Sequence, residues 1–454
     1  MSIPHILVVP CPAQGHVMPM MDLAQILAEH GLKVTFVNTE SVHNQVVNAL
    51  SKDDGFESKV HLITIQDGLE PWEDRKDFVK LDAAMQRVVP GNLREIIENF
   101  NRAEDDNKIT CVIADVSVGW ALEVADKLNI RAVAFCPAAA AQLALISSVP
   151  KLIEDGIVGN DGTIMKKQMI HLSPTMHPMN TETFTWACFR DLALRKMTFE
   201  IYLNANRYMK LAKWILCNSA YELESAAFTS VPEMLPIGPL SASNKLGDKP
   251  GSFWPEDSAC LSWLDQQPAC SVIYVAHGST TVFDQTQFQE LALGLELINR
   301  PFLWVVRPDI TGETKDVYPE GFKEGIGSRG KIVSWAPQVN VLRHPSVACF
   351  VSHCGWNSTS EGISNGVPFL CWPYFGDQLS NQTYICDVWK VGLRCDKNET
   401  GIVSKGEIKN KVEQLLGDNN FKARAMNLKD EVVSSVSRDG SSYKNLSKFI
   451  EYLK

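Results

Sequence analysis

Short apolar runs rich in β-branched residues recur along the chain, each followed by a stretch with helical spacing, and this alternation constrains the fold most. In the first half the runs are His5–Pro10, Lys33–Asn38, His61–Ile65, Cys111–Val116, Ala132–Cys136 and Trp214–Asn218. The second half contributes Ser271–Ala276, Phe302–Arg307, Lys331–Trp335, Ala348–His353 and Pro368–Trp372. Runs without polar alternation suit parallel strands buried on both faces. Between the first two, Val17, Met20, Ala24 and Leu27 repeat at helical spacing, and His30-Gly31 closes that helix. The pattern predicts an α/β fold of doubly wound, Rossmann-like parallel sheets.

A chain of 454 residues exceeds one ordinary core. Ser241–Asp257 (SASNKLGDKPGSFWPED) is rich in Ser, Gly, Pro, Asp and Lys and separates two complete strand–helix series. The expected partition is an N-terminal domain over 1–240, a linker over 241–257 and a C-terminal domain over 258–434. The last segment, 421–454, reads as helix whose place pattern alone leaves open; its final part, about 435–454, is assigned to the N-terminal domain. Two such domains facing each other would leave a cleft at the C-terminal ends of their strands, where ligands of these sheets bind.

The net charge of −10 argues against a surface built for nucleic acid or anionic lipid. The first ten residues lack a cationic start and read as a strand rather than a signal peptide, and no apolar run approaches 18 residues. The twelve cysteines include no C-x-x-C, so they read as reduced thiols of a cytoplasmic protein, with zinc or disulfides a remote alternative.

Some motifs mislead. Gly325-Ile326-Gly327-Ser328-Arg329-Gly330 fits a dinucleotide-binding pattern, but it precedes a strand instead of following one and reads as a surface turn. Gly362-Ile363-Ser364-Asn365-Gly366 fits a hydrolase elbow, yet the nearest strand ends about ten residues earlier. No Asp-x-Asp is present. A metal-free way of holding a diphosphate is therefore expected if the chain binds one.

The densest signal runs from Trp335 to Gln378. It opens W-A-P-Q, contains H-C-G-W-N-S-T-S-E-G and ends D-Q. After the run Ala348–His353, Gly355 permits a tight turn and a helix begins, whose amides and dipole make an anion site. The stretch resembles the signature box of plant secondary-product UDP-dependent glycosyltransferases of family 1, and the resemblance extends from P-A-Q-G-H at residues 12–16 to the closing helix. It implies a two-domain fold of the GT-B type, a UDP-sugar donor and a small-molecule acceptor.

Carried over position by position, the resemblance places His353, Asn357 and Ser358 on the diphosphate with help from Ser279. Glu361 and Gln338 fall on the ribose hydroxyls, while Ser358 and Glu361 also fit a capping box. Trp335 stacks on uracil, whose edge the backbone of Ala336 reads. Asp377 and Gln378 hold the sugar hydroxyls, with Trp356 nearby through its backbone. A terminal Gln in such a box is associated with glucose, which makes UDP-glucose the expected donor.

His16 stands at the exit of the first strand, where a near-neutral imidazole can act as general base on an alcohol or phenol. Asp115 interrupts an apolar run, where an unpaired carboxylate would be costly; it either ends the strand or orients the histidine. The resemblance favours a His16–Asp115 dyad, and implies direct displacement with inversion to a β-O-glucoside and no metal.

Acceptor contacts are expected from Cys11–Ala13, Asp67–Trp72, Val116–Trp120, Cys136–Gln142 and the irregular segment Met165–Asn204. In that segment Met165, Met169, Met176, Met179, Phe184, Trp186 and Phe189 suit a bulky apolar aglycone such as a flavonoid, other phenolic, terpenoid or steroid, or else packing under a long loop. Departures from the family are His277, where relatives commonly carry Phe, and Cys11 and Cys136 in places often held by larger rings. The enzyme is expected to act as a monomer without a membrane span. The competing readings are a serine hydrolase built on Ser364 and a catalytically silent nucleotide-sugar-binding protein.

Overall fold

The computed structural model describes residues 3–49, 59–102, 107–242, 254, 256–311 and 318–454. The chain forms two units, Met1–Trp254 with Ser434–Lys454, and Pro255–Val433. Of the expected linker, residues 243–253 and 255 lie outside the described residues.

In the first unit the elements that position the site are β1 (His5–Val9), α1 (Gln14–Glu29), β2 (Lys33–Thr39), β3 (His61–Ile65), α2 (Phe78–Arg102), β4 (Ile109–Asp115), β5 (Arg131–Cys136), α3 (Ala140–Glu154), α4 (Leu192–Met209), β6 (Trp214–Cys217) and β7 (Met234–Pro236). The strands pair in parallel in the order β3-β2-β1-β4-β5-β6-β7. α1 stops where Gly31 adopts φ 81, with Gly31 N donating to Ala28 O and Leu32 N to Leu27 O, which satisfies the last carbonyls. The core joins Ile6, Val8 and Phe36 of the sheet to Met20, Leu23 and Leu27 of α1.

In the second unit come β8 (Val272–Ala276), β9 (Phe302–Val305), β10 (Gly330–Val333), α5 (Gln338–Arg343), β11 (Val347–Ser352), α6 (Trp356–Ser364), β12 (Phe369–Cys371), α7 (Gln378–Thr383) and β13 (Gly392–Arg394). Their order is β10-β9-β8-β11-β12-β13, again all parallel. Winding reverses between β1 and β4 in one sheet and between β8 and β11 in the other. Parallel α/β sheets bind ligands outside the strand ends at such reversals.

Two expectations change. β7 and β13, three residues each, were not foreseen, because so short a run at a sheet's end carries no pattern of its own. The glycines at 325–330 form no simple surface turn: Phe322–Ile326 is helical and Gly327–Arg329 is a single tight turn into β10, because Phe322 and Ile326 are one helical turn apart and both are buried. Among the described residues no helix is long and apolar enough to cross a membrane.

Candidate active site

β1 and β4 are neighbours in register, with Val9 beside Ala114, so the groups that follow them meet. Ala13 caps α1 and His16 lies in its first turn, partly exposed. Asp115 ends β4 fully buried, and its Oδ2 lies 2.7 Å from His16 Nδ1. Asp115 Oδ1 accepts from Ser117 N at 2.8 Å, so both carboxylate oxygens are held. A carboxylate only accepts, so Nδ1 carries the imidazole proton and the basic lone pair is on Nε2. Nearby, burial and then the charges of Asp115 and Asp82 push the Cys11 thiol well up, which keeps it protonated.

At the second reversal, the turn after β11 is tight. Cys354 adopts φ 65 and Gly355 caps α6; the amides of Trp356, Asn357 and Ser358 have no acceptor inside the helix. The His353 ring fills the space between two glycines, and a Cβ on either Gly278 or Gly355 would come within 2.5 Å of its Nε2. Burial, then the Arg307 charge, lowers its pKa to about 4, so the ring is neutral near pH 7. Ser279 follows Gly278 on the β8 loop and is partly exposed.

Gln338, first residue of α5, ties three of the expected residues together. Its Nε2 donates to Ser358 Oγ and to Glu361 Oε2, both at 2.8 Å. The Tyr274 hydroxyl donates to its Oε1 at 3.1 Å. The capping-box expectation fails here: Gly355 is the cap and Ser358 lies in the helix's first turn, so Ser358 and Glu361 face Gln338 instead. Trp335 is half-buried and Ala336 is buried at the mouth of α5. The Trp356 ring is buried, 6.5 Å from that of Trp389, which leaves its backbone as the part turned to the helix entrance. Asp377 caps α7 and takes Asn381 Nδ2 at 2.9 Å. Gln378 Oε1 accepts from the amides of Tyr374 and Phe375 at 2.8 and 3.2 Å, which makes its amine the group it can present.

Sequence reasoning missed Arg307. Buried just past β9, it donates through Nη1 to Gly278 O, through Nη2 to Thr281 O at 2.7 Å and through Nε to Asp309 Oδ1 at 3.1 Å. It fixes the loop that carries Ser279. A cation directly after F-L-W-V-V was the available signal. Tyr274, a hydroxyl inside an apolar strand, was a second. Ser364 ends α6 with its Oγ donating to Ser360 O at 2.6 Å; it stands on no strand-to-helix turn. Among the described residues no group of three His, Cys, Asp or Glu side chains is arranged to hold a metal ion.

Residues 255–439 match the family model described as UDP-glucoronosyl and UDP-glucosyl transferase. UDP-glycosyltransferase 83A1 of Arabidopsis thaliana is 44% identical over an alignment that takes in 100% of this chain and 97% of that protein. The chain belongs to the plant UDP-glycosyltransferase family. The transferase superposes on the crystal structure of Os79 from O. sativa in complex with UDP at a TM-score of 0.82, with 25% identity, over 99% of this chain and 100% of the other. Phytolacca americana UGT2, complexed with UDP-2fluoro-glucose and pterostilbene, gives 0.80 with 27% identity over 100% and 99%. The transferase thus has the GT-B fold, two Rossmann-like parallel-sheet domains.

In the transferase, part of the segment expected to line an acceptor pocket is core. Met176, Met179, Phe184 and Trp186 are buried, with the Trp186 ring among Phe184, Phe199 and Tyr202. Met165 and Met169 are exposed. Aromatic residues in an irregular stretch must bury their area somewhere, and here they do so against α4.

Proposed function

We propose that the transferase moves glucose from UDP-glucose to a hydroxyl of a small hydrophobic acceptor, a phenolic such as a flavonoid or a terpenoid or steroid, giving a β-O-glucoside. The observation that carries this reading is the 2.7 Å contact of His16 Nδ1 with fully buried Asp115. It fixes the tautomer in which Nε2 takes the acceptor's proton, and it stabilises the imidazolium that forms. The acceptor oxygen bonds to the anomeric carbon as the bond to UDP breaks, and a single displacement on an α-linked donor inverts it. Charge growing on the departing diphosphate falls to the first-turn amides of α6, Ser279 and neutral His353. Gln338 and Glu361, already hydrogen-bonded to each other, take the ribose hydroxyls; Trp335 stacks on uracil and Ala336 offers its backbone. Asp377 and the amine of Gln378 hold the sugar hydroxyls, near the backbone of Trp356. The UDP-2fluoro-glucose bound by the Phytolacca americana relative supports a glucosyl donor. The same reading makes the enzyme a metal-independent monomer of the cytosol, a compartment that suits its twelve free cysteines.

The test is incubation with UDP-glucose and a mixed aglycone panel, read by mass spectrometry, with UDP-galactose and UDP-glucuronate in parallel. A gain of one hexose is expected, with a β coupling at the anomeric proton. His16→Ala should lower kcat by about 10²–10⁴-fold, the usual share of a general base. No transfer from any donor across broad acceptor panels sinks the reading.

A further inference from the structure

Immediately after Asp115 the chain makes a single turn, Val116–Val118, in which that carboxylate accepts from the Ser117 amide. A cavity of about 260 Å³ opens against this turn, walled by α2, the helix Trp120–Lys127 and α4. It lies close to the dyad: Val116 and Ser117 of its lining directly follow Asp115, and Ser117 N donates to Asp115 Oδ1 at 2.8 Å.

Half of the lining residues are polar. Asp82 and Glu123 bring carboxyl groups, Gln86, Ser117, Asn204 and Tyr208 bring neutral hydrogen-bonding groups, the rest is apolar or glycine, and among the described residues the lining includes no lysine or arginine. Glu123 is engaged by Lys127 at 3.3 Å and Arg207 at 3.8 Å. Asp82 takes a hydrogen bond from Gln86 Nε2 at 2.7 Å, and its remaining lone pairs suit a ligand that donates. A carboxylate accepts only, and a second anion beside it is repelled. The volume falls just short of the roughly 300–1,000 Å³ typical of whole-ligand sites, so it suits one substituted ring rather than a fused ring system.

We propose that this cavity is an acceptor subsite for the non-reacting end of the substrate, a hydroxylated ring that donates to Asp82, and that it disfavours acceptors ending in a carboxylate. The proposal rests on His16 as the base, and it gives the hydrophobic acceptor a polar far end.

The probes are 4,4′-dihydroxybiphenyl, 4-hydroxy-4′-methylbiphenyl and 4′-hydroxybiphenyl-4-carboxylate. Kd is measured by calorimetry on the full chain with UDP present, and kcat/KM by glucosyl transfer. The dihydroxy probe should bind about tenfold to a hundredfold more tightly than the methyl probe, the range for a hydrogen bond to a charged group. Asp82→Leu should erase that preference while changing the methyl probe less than about threefold. Asp82→Asn, which keeps an acceptor oxygen but loses the charge, should cut the preference to about twofold to tenfold, the range for a neutral hydrogen bond, and improve the carboxylate probe. An unchanged Kd for UDP reports that each variant folds. Equal losses for all three probes, an intact preference in Asp82→Leu, or no binding of the dihydroxy probe overturns the subsite. Asp82-dependent binding without hexose transfer leaves the subsite standing and sinks the proposed reaction; transfer without an Asp82-dependent preference does the reverse.

Discussion

His277 and His16 both follow an apolar strand, yet their surroundings give them opposite characters. The His277 ring stands edge-on to Phe283, Trp372 and Tyr374 at centroid distances of 4.8, 5.6 and 6.1 Å. It is 2% exposed, and neither nitrogen has a hydrogen-bond partner among the described residues. Burial, then the charges of His353 and Arg307, lowers its pKa to about 3. Its unfolded value is 6.5, so the unfolded chain binds the proton first on acidification. The stability tied to an uncharged His277 is complete above pH 6.5 and falls as pH drops from 6.5 toward 3, by about 1.4 kcal/mol per unit. His277→Phe keeps a ring among rings and removes two unpaired nitrogens. It should raise stability near pH 7 by about 1–3 kcal/mol and flatten the decline below pH 6.5, read by urea titration at several pH values. A less stable variant with the acid decline unchanged would show that the imidazole is satisfied. The sequence could flag both histidines as departures or candidates. It could not show that Asp115, 99 positions along, reaches one of them while the rings of Phe283, Trp372 and Tyr374 stand against the other.

At the scale of elements, strand runs and the first helix were readable because parallel strands buried on both faces leave continuous apolar runs. Ends and caps were harder, since they depend on groups distant in sequence. Helix α3 makes the point. Its cap, Ala139, has no side chain for the orphan amides. Glu224 supplies them from 83 and 84 positions away, accepting from Ala140 N at 2.8 Å and Ala141 N at 2.9 Å, and from Ser219 Oγ at 2.6 Å. Glu224→Ala strips all three donors of their acceptor in a buried place. A loss of about 2–4 kcal/mol is expected from the cap and the unsatisfied groups together. Glu224→Gln, with one acceptor oxygen and an amine facing amides, should recover only part of it. Thermal unfolding distinguishes these outcomes, and a fall in Tm of less than about 1 °C for Glu224→Ala would refute the capping role. The same dependence on distance explains Ser358: S-x-x-E reads as a local cap, but Gly355 takes that position and Gln338 arrives from another helix.

On the scale of the whole molecule, the two ends of the chain belong to one core, a fact that no local pattern records. The closing helix, Ser441–Leu453, buries Phe449, Ile450 and Leu453 with the strands and helix of the N-terminal half. Ser442 Oγ donates to Gly238 O at 2.7 Å, Asn445 Nδ2 to Pro236 O at 2.9 Å, and Arg131 Nη1 to Tyr452 O at 3.0 Å. β7, too short to be read from sequence, gains its place partly through this helix. Three buried apolar side chains at about 1.5–3 kcal/mol each amount to much of the roughly 5–15 kcal/mol that holds a domain folded. The second unit draws on its own core of Ile273, Phe288, Trp304, Val351 and Leu370, and none of the residues proposed to hold the donor belongs to the first. Deleting residues 441–454 should therefore abolish glucosyl transfer and release the first unit to proteolysis, while calorimetry still finds UDP bound within about threefold of the intact chain. Loss of UDP binding on that deletion would mean that the donor site needs the first core to fold, and the independence of the two units would have to be abandoned.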